Sequence, residues 1–158
     1  MTGQHSINNL FLLFHDFQIV KLEYLDDKLS LTMKIPWGQL WNDYDFKIKL
    51  EISGCNFIEC VHGEIIQNPD NLALMLRKSI DKVTTDPLII SNLLLEVQRH
   101  ASLDENAYKF FCNSSNPKCS GGELTFTATQ VQVVDMAGQE ITLLKMEKWF
   151  SEFWKDPE

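Results

Sequence analysis

The chain has 158 residues, of which 44% are hydrophobic and 23% charged, a balance that excludes disorder and a coiled coil and gives one domain, residues 1–158, enough core to fold without a staple. Fourteen Lys and Arg against twenty-two Asp and Glu leave a formal net charge of −8, a field that repels nucleic-acid backbones and attracts basic partners. The expectation is therefore no nucleic-acid partner.

The apolar stretches Leu10–Phe14 and Leu93–Leu95 fall far short of the roughly 18 residues a membrane span needs, so no membrane association is expected. The start Met-Thr-Gly-Gln-His lacks the basic and apolar regions of a secretory signal, and a cytoplasmic address is expected.

The first clear element is a hairpin. Val20, Leu22 and Tyr24 alternate with Lys21 and Glu23, Asp26-Asp27 supplies a turn, and Leu29, Leu31, Met33 and Ile35 alternate with Lys28, Ser30, Thr32 and Lys34. Phe46, Ile48, Leu50 and Ile52 continue the same period in a third antiparallel strand that ends at Ser53-Gly54, and a fourth strand is predicted over 57–66. At Asn68-Pro69-Asp70 the code turns to helix-start chemistry, and Leu72, Met75, Leu76, Ile80 and Val83 share one helical face, so a mid-chain helix is predicted as far as Asp86-Pro87.

Segments 93–100 and 106–112 are read as strands, although Leu93-Leu94-Leu95 also fits a short helix. In the strand over 123–134, Leu124, Phe126 and Ala128 give way to Val131 and Val133, a change of parity that predicts a bulge near Thr129-Gln130. Leu143, Met146, Trp149, Phe150, Phe153 and Trp154 then fall on one arc of an amphipathic C-terminal helix. A rival reading turns the chain at Gly138, keeps 141–144 as strand and starts that helix later. The predicted fold class is α+β, mostly antiparallel β as a sandwich or a curved sheet, with the mid-chain helix and the C-terminal helix.

Catalytic and cofactor motifs are sparse. No P-loop, G-x-G-x-x-G, G-x-S-x-G or HExxH occurs, so no catalytic residue, cofactor or metal ligand is assigned. Cys55, Cys60, Cys112 and Cys119 form neither a CxxC pair nor a zinc spacing and read as reduced thiols, although Cys112 and Cys119 could approach each other across a hairpin. Cys60 and His62 share a strand face, a minority metal reading.

The segment Pro36–Tyr44 carries Trp37, Trp41 and Tyr44 with Asp43, and Asp45 follows at once. Its rings either close the open end of the core or form a recognition surface, because Trp and Tyr on loops do both. The C-terminal Trp149 and Trp154 invite the same two readings, with core packing favoured.

The run Phe14-His15-Asp16-Phe17 into Tyr24, followed by Leu29–Met33 and Phe46–Gly54, resembles a pattern in small bacterial β-rich domains, among them immunity proteins of polymorphic toxin systems. In those families an F-H-D segment leads into a hairpin, then a strand ending near a Gly, and a late strand similar to 122–134. The resemblance covers about half the chain and implies a non-enzymatic binder. His15 and Asp16 are thereby candidate partner-binding residues, beside the local alternative in which Asp16 bonds the backbone at the start of the hairpin.

The favoured expectation is an acidic interaction module, of immunity type against a basic toxin, that contacts its partner through Trp37, Trp41, Asp43, Tyr44, Asp45, His15 and Asp16. The alternatives are a small enzyme or ligand-binding domain with His62 or His15 as acid or base in a cleft between sheet and helix, and a self-associating domain with the aromatics in a symmetric homodimer interface.

Overall fold

A computed structural model describes residues 1–67, 77–104 and 106–155. It bears out the α+β class: antiparallel strands dominate, with a few helices including one at the C-terminus. The chain begins with helix α1 (Gln4–Phe11), then runs β1 (Gln18–Leu25), β2 (Lys28–Lys34), a 3₁₀ helix over Pro36–Trp41, β3 (Lys47–Ser53) and β4 (Ile58–Gln67). Next come β5 (Arg77–Thr84), α2 (Pro87–Asn92), β6 (Leu95–Ser102), β7 (Ala107–Ser114), β8 (Cys119–Thr127), β9 (Gln130–Asp135) and α3 (Leu143–Phe153).

The predicted hairpin and third strand form as read. Leu25 pairs with Lys28 across Asp26-Asp27, and β2 runs in unbroken register with β3 from Lys28–Ser53 to Lys34–Lys47. Asp26 takes the positive φ of 57° that such a short turn demands and that Asp tolerates. β1 departs from its simple alternation. Its register slips between Ile19 and Lys21, so that Ile19 and Leu22, three residues apart, both reach the core.

The nine strands make one hydrogen-bonded sheet in the order β5-β4-β8-β7-β6-β1-β2-β3-β9. It cannot be flat. β8 and β9 stand third and ninth, so a flat sheet would part them by ~29 Å at ~4.8 Å per strand, whereas the chain from Thr127 to Gln130 reaches only ~11 Å. The sheet therefore folds over and brings β9 back beside the end of β8, where Thr129 N–H donates to Ser53 O at 2.9 Å. The fold line lies between β1 and β6, whose strand pairing is reduced to Gln18 opposite Glu96. One contiguous core, with Leu31, Leu50 and Val133 from one arm and Leu95, Phe110 and Phe126 from the other, fills the space enclosed.

Both strands at the fold line have their diverging edges covered. Ser91 of α2 accepts the Leu22 N–H at 2.8 Å, and Asn8 of α1 bonds His100 and Ser102 of β6. The α1 side chains Ile7, Leu10 and Phe11 are buried, and Phe11 meets Tyr108, Phe110 and Phe126 edge to face. On β9, the outer edge is closed by Met1 and by residues 139–141.

Two expectations are corrected. Residues 77–84 are a strand paired along its length with β4, not the end of a helix, and the helix among the described residues of this part is the short α2, capped by Asp86, whose carboxylate accepts the Leu88 N–H. Ile80 and Val83 fit a helical face by spacing, but on this edge strand both are exposed, so spacing is not a burial signal there. The proposed helix start at 68–70 and the positions of Leu72, Met75 and Leu76 lie outside the described residues. The parity change after Ala128 marks a break rather than a bulge: β8 pairs with β4 and β7, and β9 with β3. Near the C-terminus the chain turns at Gly138, keeps one bridge between Val134 and Glu140, and starts α3 at the Thr142 cap.

Candidate functional site

The Pro36–Tyr44 segment is built around its first ring. Pro36 occupies the opening turn of the 3₁₀ helix, and Trp37 drops to 0% exposure against Phe17 and Phe150. Its indole N–H has no partner among the described residues, and packing against these rings holds it in place. Trp37 thus closes the core and is not a contact surface, which corrects its place among the predicted partner-binding residues.

From Gln39 to Asp45 the segment faces out. Asp43 N–H donates to Gly38 O at 2.9 Å, and Asp43 Oδ1 accepts the Asp45 N–H at 3.1 Å, so Asp43 is turn chemistry as well as a surface charge. Asn42 supplies the left-handed residue at φ 54°. The chain is thereby wound tightly enough to leave Trp41 42% exposed and Tyr44 68% exposed. Trp41 leans on Phe46 and Trp149, and Lys145 lies 5.1 Å over the Trp149 ring. Asp45 is shared by Lys47 at 3.1 Å and Lys34 at 4.0 Å.

His15 and Asp16 sit at the fold line, beside this segment's cleft. The register slip at Gln98 in β6 turns that residue's groups toward β1: its carbonyl lies 3.1 Å from His15 Nδ1, and its amide donates to Asp16 Oδ1 at 3.2 Å. His15 Nε2 is 3.4 Å from Asp16 Oδ2, and Asp16 takes a positive φ of 67° while its N–H donates to Val97 O. The Asp16 carboxylate thus meets the side chains of Gln98 and His15 rather than the nearby backbone of the local alternative, and the backbone bond here is made by the Asp16 N–H. The His15 ring approaches Trp154, which is 47% exposed at the end of α3.

Asp16 and Tyr44 line one cleft of about 230 Å³, with Gln18, Lys34, Gln39 and Glu96. Of the seven predicted partner-binding residues, these two alone share it. Trp41, Asp43, Asp45 and His15 lie outside its lining. Glu96 accepts a hydrogen bond from Ser115, which in turn accepts one from Gln18 at 3.0 Å. Gln18, Lys34, Gln39 and Glu96 were not among the sequence candidates, because the meeting of β1 with β6 that assembles them leaves no local signal. The cleft lies below the ~300 Å³ at which pockets for drug-sized ligands begin, and it suits a single side chain better than a small molecule.

Comparison with protein-family models, curated proteins and solved structures finds no match for this chain.

His62 and the four cysteines face the core. His62 is buried on β4, its Nδ1 without a partner among the described residues, on the same inner face as Cys60. All four cysteines are buried and free, including Cys112 and Cys119. Burial pushes the Cys60 thiol up to about 12, with the neighbouring Cys119 adding to the effect, and it raises Cys112 and Cys55 too. Such thiols are poor nucleophiles and poor ligands. Among the described residues no three His, Cys, Asp or Glu side chains are arranged to hold a metal ion, and no helix is long and apolar enough to cross a membrane.

Proposed function

We propose that this protein is a non-enzymatic interaction module that engages a basic protein surface through the Trp41–Tyr44 turn and its acidic surround. The observation that carries the reading is the division of labour within one segment: Trp37 is fully buried, while Trp41 and Tyr44 stay exposed beside Asp43, Asp45 and Asp16. Rings held out by a rigid turn give contact area at little entropic cost, and the carboxylates steer a cationic partner. The net charge of −8 acts in the same direction over longer range.

An immunity-type inhibitor of a basic toxin is the specific form we favour, on the resemblance of the Phe14–Tyr24 run to such proteins. The test is capture from lysate of the source cell with the native domain and with Trp41→Ala/Tyr44→Ala, the variant first shown to be folded by circular dichroism. A basic protein retained by the native domain, released by salt and lost by the variant supports the reading. Equal retention by both forms refutes the turn as the contact, and a captured acidic protein refutes the charge argument.

A further inference from the structure

We infer that the cleft beside Tyr44 receives one arginine side chain of the partner, its guanidinium seated between Asp16 and Glu96 and its plane against the Tyr44 ring. This rests on the interaction-module reading and deepens it.

The lining matches that group's chemistry. Asp16 and Glu96 bring two carboxylates to one cleft in which Lys34 is the one cation among the described lining residues, and Lys34 already leans toward Asp45. Among the described residues neither carboxylate is saturated: the Asp16 oxygens each face one neighbour, and Glu96 uses one oxygen on Ser115. Gln18 spends its amide nitrogen on Ser115 and so keeps its carbonyl oxygen as an acceptor. A guanidinium has five donors in a rigid plane and a weakly hydrated face that stacks on aromatics, whereas an ammonium is a hydrated point charge. Acceptors around a cleft walled by an exposed tyrosine and by Pro36 therefore select arginine over lysine.

Lys34 gives the inference a sign that an anionic or zwitterionic occupant would reverse. Removing its charge strengthens the binding of a cation by roughly two- to fivefold, the scale of one exposed charge pair. Losing the Glu96 charge weakens it by about tenfold, the scale of one charge-assisted hydrogen bond.

The experiment titrates N-acetyl-arginine amide into the full chain labelled with nitrogen-15 and follows the amide resonances of Gln18, Gln39, Tyr44 and Glu96. The neutral isostere N-acetyl-citrulline amide and N-acetyl-aspartate amide serve as controls. Expected is a saturable shift with the arginine compound alone, weakened in a folded Glu96→Gln variant and strengthened in Lys34→Gln. Absence of saturation, equal response to the citrulline compound, preference for the aspartate compound, or weakening in Lys34→Gln overturns the inference. Failure here with specific capture of a basic partner would remove the arginine seat and leave the Trp41–Tyr44 contact standing. Arginine binding with no capture would do the reverse.

Discussion

Adding one methyl group at Gly38 should unfasten the turn that presents Tyr44. A Cβ built there would stand 1.9 Å from Asp43 O and 2.8 Å from Phe46 Cβ, and the first obstacle is backbone, which cannot rotate away. The Asp43 carbonyl must retreat by more than 1 Å to reach ordinary contact, straining the Asp43 N–H bond to Gly38 O and the Phe46 N–H bond to Asp43 O. Overpacking costs about 1–3 kcal/mol and each weakened hydrogen bond about 1 kcal/mol, so with two such bonds Gly38→Ala is predicted to lose ~3–5 kcal/mol. A glycine with open space and an ordinary φ gives the opposite sign, a gain of about 0.4–1 kcal/mol from reduced unfolded-state entropy. Urea denaturation followed by tryptophan fluorescence reads the difference directly. A stabilised Gly38→Ala would refute the close approach of 38 and 43, and with it the geometry assigned to the turn.

The raised thiols predict alkaline lability. Unfolded cysteine ionises near pH 8.5–9, while Cys60 stays protonated to about 12 in the fold, so the unfolded state releases protons first and stability falls as pH rises through that window. The expected slope is about 1.4 kcal/mol per pH unit for each raised thiol, and Cys60→Ala should remove one such contribution, read from denaturant curves at pH 8, 9 and 10. An unchanged slope in that variant would contradict the burial of Cys60. His100 behaves in the opposite sense, since burial lowers its pKa: its contribution is present at neutral pH and fades as pH falls below the ordinary histidine value, an acid loss that His100→Gln should diminish. Ser91→Ala strands the Leu22 N–H at the edge of β1 and should cost about 1–2 kcal/mol, whereas an exposed serine replaced by alanine costs almost nothing.

How much of this was legible depended on the range of the interaction. The β1–β2–β3 meander was readable because alternation and turn chemistry are both local, and α3 because its aromatic arc has no strand interpretation. α1 could have been read: Ile7, Leu10, Phe11 and Phe14 fall at helical spacing, and all four are buried. β5 could not be recognised by alternation, since most of its side chains face solvent on both sides. The break after Ala128 imitates a bulge because both change parity, and only the partners of β8 and β9 distinguish them. Within the candidate site, aromatic content pointed to the right segment but not to which ring is buried. Trp37 follows Pro36 into the core, and the turn closed by Gly38 and Asp43 turns Trp41 and Tyr44 outward. The cleft itself is a product of the meeting of β1 and β6, residues nearly 80 apart in sequence.

The most direct test of the central claim is to measure stability and partner retention side by side for Tyr44→Ala and Trp37→Ala. Tyr44→Ala is predicted to stay within about 0.5 kcal/mol of the native stability and to lose its basic partner, while Trp37→Ala loses about 3–5 kcal/mol through the cavity it opens. A Tyr44→Ala protein that is fully stable and still holds the partner as the native domain does would contradict the account.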